Sequence, residues 1–135
     1  MRVEPYVYFQ GRCDEALEFY RDAIGADATV FARFGDIPGS AAAAAGAKVA
    51  HAVLRIGDTV VLASDGQGAG QPDFSGFSLS LTVSDDAEAE RLFAALSAGG
   101  VVQVPMAPTP FASRLGLVAD RFGVPWMVAS QNATR

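Results

Sequence analysis

The sequence is poor in the residues from which metal centres and disulfide networks are built. Its 135 residues include one His, one Cys and one Trp. A lone cysteine, Cys13, cannot form an internal disulfide, which excludes a disulfide-stabilised scaffold. A single histidine also excludes a zinc site built from several imidazoles. The chain therefore offers little material for metal chemistry.

Positive charge and long apolar runs are scarce as well. Ten Lys and Arg residues face fifteen Asp and Glu residues, which gives a formal net charge of −5. Nucleic-acid binding needs clustered Lys and Arg, so we expect no nucleic-acid partner. No apolar stretch approaches the roughly 20 residues that span a bilayer, so we expect no membrane partner. Residues 1–5 contain no apolar signal region, which predicts a cytoplasmic protein.

Half of the residues are apolar, and in the first half of the chain they follow strand and helix periods. Residues 3–9 are rich in Val, Tyr and Phe, which predicts a strand. Asp14 is the expected N-cap of a helix that ends at Gly25. Three short strands are predicted to follow, at 28–34, 51–56 and 60–63, with a tight turn at Gly57-Asp58 between the last two.

The second half repeats this order. A strand at 77–83 precedes a helix capped by Asp85 or Asp86, and that helix ends at Gly99-Gly100. The expected apolar face of the helix consists of Ala89, Leu92, Phe93 and Leu96. Strands are predicted at 101–104, 115–119 and 126–129. A shift of 74 residues superimposes the first strand and helix of the two halves, and a shift of 66 superimposes their ends.

The repeat predicts an α+β fold of two tandem βαβββ units in one domain, 1–135. The first unit spans 1–65, a linker spans 66–76, and the second unit spans 77–132. The segment Gly35–Lys48 contains five consecutive alanines between Gly, Pro and Ser, and it lacks periodicity. A loop of this length is either a lid or a disordered segment, and the sequence leaves both interpretations open.

Four motifs carry a resemblance to a known superfamily. They are PYVYFQG at 5–11, EALEFY at 15–20, HAVLRIGD at 51–58 and GLVADRFGVPWMV at 116–128. With the doubled unit, they resemble the vicinal oxygen chelate superfamily, which holds glyoxalase I, bleomycin-resistance proteins and extradiol dioxygenases, and within it the PhnB-like branch. The resemblance implies a curved mixed sheet around a cleft, often completed across a homodimer, so we expect a homodimer. Binding proteins and several enzyme chemistries share this scaffold.

The resemblance also implies where a metal would bind. In metal-dependent relatives, His, Gln or Glu side chains reach into the cleft from the first and last strand of each unit. The matching positions here are Glu4, Val61, Ser78 and Met127. One carboxylate and one hydroxyl are a poor donor set for a divalent ion. We therefore expect neither a metal nor another cofactor.

Strand alternation predicts what the cleft would present instead. If Glu4 points inward, Tyr6 and Tyr8 do so too, because residues i and i+2 share a face of a strand. In the second unit, Ser78 and Ser80 lie on the side opposite the helix. The candidate ligand-binding residues are Tyr6, Tyr8, Ser78, Ser80, Arg114 and Met127. The two tyrosines could equally be core or dimer-interface residues, and Arg114 either meets an anionic ligand or lies on the surface.

Two residues are weak candidates for a general base, Glu4 and His51. His51 is alternatively a structural histidine at the start of a strand. Cys13, next to Arg12 and near a helix start, is a candidate for a lowered pKa. Asp120 is predicted to form a turn before Phe122-Gly123, and Trp126 is predicted to pack in the interior.

Three hypotheses for function follow. The first is a protein that binds a small, partly apolar organic ligand without a metal. The second is an enzyme of the same superfamily, a metal-assisted lyase, isomerase or dioxygenase. The third is an antibiotic-sequestering resistance protein, for which the net charge would favour a cationic drug.

Overall fold

The computed structural model describes residues 1–37, 46–66 and 73–131. The chain divides into two compact units, Met1–Pro72 and Asp73–Arg135. The first unit contains β1 (Tyr6–Tyr8), α1 (Cys13–Ile24), β2 (Asp27–Arg33), β3 (Val49–Ile56) and β4 (Thr59–Ser64). The second contains β5 (Leu79–Val83), α2 (Asp86–Ser97), β6 (Val101–Thr109), β7 (Ala112–Ala119) and β8 (Pro125–Ser130).

Each unit has a four-stranded mixed sheet of its own. The strand orders are β1-β4-β3-β2 and β5-β8-β7-β6. The first and last strands of each unit pair in parallel, and the other neighbouring strands pair antiparallel. The predicted α+β class and the tandem βαβββ units are therefore confirmed. Neither helix of the described residues is long and apolar enough to cross a membrane.

In the first unit, α1 packs on one face of the sheet. The helix presents Leu17 and Tyr20 at its apolar face, and both are almost completely buried. Phe9 follows β1 and contacts Tyr20, with 6.2 Å between the ring centroids. Val7 is buried while its neighbours Tyr6 and Tyr8 are exposed, as strand alternation requires. The two tyrosines therefore lie on the sheet face that α1 does not cover.

The start of α1 differs from the prediction that Asp14 is its N-cap. Arg12 holds the N-cap position and makes no side-chain cap bond. The first helical amide, that of Cys13, instead donates to Oδ1 of Asp65 at 2.7 Å, while Oδ2 accepts from the amide of Val49 at 2.7 Å. A long-range carboxylate thus performs the capping that was expected of a local one. The predicted end of the helix at Gly25 is confirmed by its left-handed φ of 68°.

In the second unit, the prediction for α2 is confirmed. Asp85 is the N-cap, and its carboxylate accepts from the amide of Glu88. The four residues of the expected apolar face are all buried. Gly116 of β7 lies directly beneath the helix, and a Cβ atom there would come within 2.7 Å of the Phe93 ring. The side of the sheet that carries Gly116 is therefore the side that faces α2.

Two strands differ most in length from the predictions. β1 is shorter than residues 3–9, because Pro5 has no N–H to donate and only its carbonyl oxygen pairs, with the amide of Leu62. β6 extends past the predicted 101–104 and through two prolines. It is an edge strand, where a missing N–H need not break a ladder bond. The five alanines of the segment 35–48 lie outside the described residues.

Candidate functional site

The uncovered sheet face of the first unit carries a group of rings, Tyr6, Tyr8, Phe31 and His51, which we call the aromatic cluster. Tyr6 and Tyr8 are stacked, with 5.0 Å between their ring centroids and 20° between their planes. The His51 ring lies between Tyr6, at 5.6 Å, and Phe31, at 6.3 Å. Phe31 is 66% exposed and Tyr8 is 48% exposed. Large aromatic side chains left in solvent on one face are typical of a binding surface.

A hydrogen bond fixes the centre of the aromatic cluster. The Tyr6 hydroxyl lies 2.8 Å from Nδ1 of His51 and 3.5 Å from the carbonyl oxygen of Ala50. Partial burial, followed by the charges of Tyr8 and Cys13, raises the pKa of Tyr6 above its usual value. The phenol therefore stays protonated at neutral pH, and its one hydrogen can go either to Nδ1 of His51 or to the carbonyl oxygen of Ala50. The structure thus brings His51 together with Tyr6, two residues that sequence reasoning had considered separately.

The residues predicted at the metal positions do not form a donor set. Glu4 lies before β1, and its carboxylate pairs with Arg2 at 3.8 Å. Val61 is buried on the α1 side of its sheet, so it points away from the aromatic cluster. The first-unit counterpart of Met127 is Leu62 rather than Val61, because Leu62 pairs with Tyr6 and Met127 with Ser80. The 66-residue shift between the ends of the two halves is therefore wrong by one residue, because the parallel pairing of the first and last strands fixes which residues correspond.

The described residues contain no group of three or more His, Cys, Asp and Glu side chains that could hold a metal ion. Val61 cannot coordinate, Met127 offers one thioether, and Glu4 already has a cationic partner. Zinc and the harder divalent ions require several N, S or O donors around one point. The predicted positions therefore do not fit the metal that metal-dependent relatives bind.

In the second unit, the hydroxyl-bearing face is as the alternation predicts. Ser80 and Thr82 of β5 are exposed, while Leu79, Leu81 and Val83 are less so. Ser78 precedes β5 and lines a groove of about 410 Å³, which we call the second-unit groove. Its walls include Phe74, Phe77, Ser78, Gln103, Leu117 and Trp126. None of the described side chains that line it is ionisable.

One wall of the second-unit groove is fixed by the buried carboxylate of Asp120. Its Oδ1 accepts from the amides of Phe122 and Val124, at 2.9 and 3.1 Å. Its Oδ2 accepts from the indole nitrogen of Trp126 at 2.9 Å. The predicted turn at Asp120 is confirmed, and so is the interior position of Trp126, which is 2% exposed. The hydrogen bond between Trp126 and Asp120 could not be predicted from the sequence.

Arg114 lies on the α2 side of its sheet. Its guanidinium is 3.4 Å from the Glu90 carboxylate and 3.8 Å from that of Asp86, both on α2. It therefore sits among acidic side chains on the face opposite Ser80 and Met127. Met127 is half-buried on the face that carries Ser80, with which it pairs.

A polar cluster that sequence reasoning missed joins α2 to its sheet. The carboxylate of Asp86 accepts hydrogen bonds from the hydroxyls of Ser113 and Ser130, and these lower the pKa of Asp86.

The structure contradicts the hypothesis that Cys13 has a lowered pKa. Burial, with the charges of Asp65 and Asp14, raises the pKa of the Cys13 thiol to about 12. The hypothesis relied on the neighbouring Arg12, but the Cys13 thiol is buried, and burial raises its pKa.

The chain is similar to known proteins over nearly its whole length. Residues 1–129 match the family model described as 3-demethylubiquinone-9 3-methyltransferase. Protein YjdN of Escherichia coli K12 is 33% identical over 95% of this chain and 94% of its own length. The structure of PA1353 from Pseudomonas aeruginosa is 40% identical, covers 98% of both chains and has a TM-score of 0.86.

Two further solved structures share the fold. A Bacillus cereus protein described as a putative 3-demethylubiquinone-9 3-methyltransferase, PhnB protein, is 21% identical with a TM-score of 0.79, covering 96% of this chain and 99% of that one. A glyoxylase/bleomycin resistance protein/dioxygenase domain from Frankia sp. EAN1pec is 18% identical with a TM-score of 0.64, covering 97% and 95%.

Proposed function

We propose that this chain, which belongs to the 3-demethylubiquinone-9 3-methyltransferase family, a PhnB-like branch of the vicinal oxygen chelate superfamily, binds a ligand in the second-unit groove. The protein binds a small, uncharged, partly apolar organic molecule without a bound metal. The family name refers to methyl transfer to a ring compound, and such a compound falls within the proposed ligand class.

The second-unit groove is the observation that carries this proposal. Its volume of about 410 Å³ lies within the range of small-molecule sites. Aromatic walls supply apolar contact, and the Gln103 amide and Ser78 hydroxyl offer hydrogen bonds. A charged ligand would lose its hydration there without meeting an opposite charge on the described lining, so a neutral molecule is favoured.

Trp126 makes the proposal testable, because it lines the groove and is the sole tryptophan of the chain. Its emission should change saturably on titration with benzyl alcohol, with a dissociation constant of about 1 mM for so small a ring. Benzoate and benzylammonium, which have the same ring but opposite charges, should bind at least tenfold more weakly.

A pair of variants locates the response. Leu117→Glu places a carboxylate in the groove and should abolish the benzyl alcohol titration. Phe111→Glu places the same charge in the exposed turn between β6 and β7, outside the groove lining, and should leave the titration unchanged. The proposal is wrong if the three probes bind alike, if none binds, or if Leu117→Glu binds as the parent protein does.

A second copy of the chain is the partner that we propose for this protein. The edge strand β6 leaves Val101, Val102 and Val104 exposed, and exposed apolar edge strands tend to be covered by pairing. Light scattering at micromolar concentration should give a mass of about 28 kDa, twice that of the chain. A mass near 14.0 kDa would contradict the homodimer.

A further inference from the structure

Resting on the proposed function, we infer that Gln103 determines which neutral molecules the second-unit groove accepts, and that it selects a ring compound with a secondary amide inside the ring. Such a cyclic amide presents an N–H donor and a carbonyl acceptor on the same side. The side-chain amide of Gln103 presents the complementary pair of groups. The ligand class is thereby narrowed from neutral, partly apolar molecules to cyclic amides.

Gln103 occupies an irregular position of the edge strand β6. Val102 pairs with Val118 of β7, and Val104 pairs with the neighbouring residue of that strand, Leu117. Gln103 is therefore the extra residue of a β-bulge and has no partner of its own on β7. Bulges redirect a side chain from the regular alternation and are frequent next to active sites. This bulge lies where Gln103 and Leu117 line the same groove.

The side-chain amide of Gln103 is available to a ligand. It has no hydrogen-bond partner among the residues that the structure describes. The other polar side chains of the groove lining are the hydroxyls of Ser75 and Ser78. The Ser75 hydroxyl already donates to the Asp73 carboxylate at 2.8 Å. Among the described lining residues, Gln103 alone offers a donor and an acceptor on two separate side-chain atoms.

Two hydrogen bonds form when this amide meets a cyclic amide edge to edge. The Gln103 NH2 group donates to the ligand carbonyl, and its oxygen accepts from the ligand N–H. Exchanging the oxygen and nitrogen positions of Gln103 leaves the match intact, because the ligand then binds turned over. A small ring holds its amide in the cis form, whereas an open-chain secondary amide is trans and presents the two groups on opposite sides. The cyclic compound is therefore favoured.

The apolar part of the groove suits a planar ring fused to that amide. Phe74 and Phe77 meet edge to face, with 6.4 Å between their ring centroids. A planar ring gains offset-stacked or edge-to-face contacts with such walls. A ligand that covers Gln103 but lacks the N–H or the carbonyl leaves one amide atom unpaired, and such a site rejects analogues that differ by one polar group.

Isoindolin-1-one and 1-indanone test this selectivity, because the ring N–H of the first is replaced by a CH2 group in the second. Trp126 is the sole tryptophan, so its indole N–H gives one signal in an NMR titration and reports on the groove. The side-chain NH2 signals of Gln103 are those that disappear in Gln103→Leu. We expect isoindolin-1-one to shift both sets of signals, with an affinity about tenfold higher than that of 1-indanone.

A matched pair of variants locates the selectivity. Gln103→Leu keeps a side chain of similar size but removes both amide atoms, so the tenfold preference should fall to about twofold or less. Gln131→Leu makes the same change outside the groove lining and should leave the preference unchanged. Both positions are exposed, so neither change disturbs the core.

Three results would overturn this assignment. The first is equal affinity of the two probes, and the second is a shift of the Trp126 indole signal without a shift of the Gln103 signals. The third is an unchanged preference in Gln103→Leu. In each of these cases the Trp126 shift leaves the groove proposal standing, whereas the absence of any Trp126 shift with either probe contradicts both proposals.

Discussion

Replacing Asp120 with Asn perturbs the wall of the second-unit groove at a single atom. The asparagine carbonyl oxygen can still accept from the amides of Phe122 and Val124. Its NH2 group, however, takes the place of the Oδ2 atom that accepts from the Trp126 indole. Two N–H donors then face each other in a site that is 3% exposed.

The expected cost follows from the bonds that are lost. One buried hydrogen bond to a carboxylate, with its donor left unpaired, corresponds to about 2 kcal/mol. Asp120→Ala removes the acceptor for all three donors and should cost about 5 kcal/mol, which approaches the whole stability of many domains. For a chain of this length, 2 kcal/mol lowers the melting temperature by roughly 7 °C.

Thermal and urea unfolding, followed by circular dichroism and by Trp126 emission, measure this cost. Asp120→Asn should also shift the native emission of Trp126, because the indole loses its acceptor, and weaken benzyl alcohol binding. Asp58→Asn, in the exposed turn between β3 and β4, is the matched control and should change stability by less than about 0.5 kcal/mol. If Asp120→Asn and Asp58→Asn have the same melting temperature, the Asp120 carboxylate does not stabilise the groove wall.

Two other predictions concern the cores of the units. Cys13 should resist iodoacetamide in the folded protein at neutral pH and react once urea unfolds the chain. Because its pKa rises from 9.0 to about 12 on folding, the unfolded thiol ionises first, so the free energy of unfolding should fall as the pH rises through that interval. Rapid alkylation of the native protein would contradict the buried thiol. Gly116→Ala should destabilise the second unit by about 1–3 kcal/mol, since its Cβ would lie 2.7 Å from both the Phe93 ring and the Met106 sulfur. An unchanged urea midpoint would contradict that packing.

The sequence predicted the elements that short-range chemistry determines. The apolar period of α2, its cap at Asp85 and the glycine at the end of α1 are local features, and all were readable. The alternation at 78–83 likewise predicted which side of β5 carries the hydroxyls. The tandem arrangement followed from the same order of elements in both halves.

Contacts between residues far apart in the sequence could not be predicted from it. The cap of α1 comes from Asp65, 52 residues away from Cys13, and Tyr6 meets His51 across 45 residues. Both depend on strand register, and a register error of one residue turns a side chain to the other face. Such an error assigned Val61 instead of Leu62 as the counterpart of Met127. The groove combines loop and strand residues, such as Phe74 and Gln103, that no periodic signal connects.

The most direct test of metal-free binding is a benzyl alcohol titration of Trp126 emission, performed once with a chelator and once with added manganese. The groove lining and the predicted metal positions offer no donor set for a divalent ion, so the two binding curves should coincide. Binding that appears only with manganese, or that tightens tenfold with it, would contradict the account.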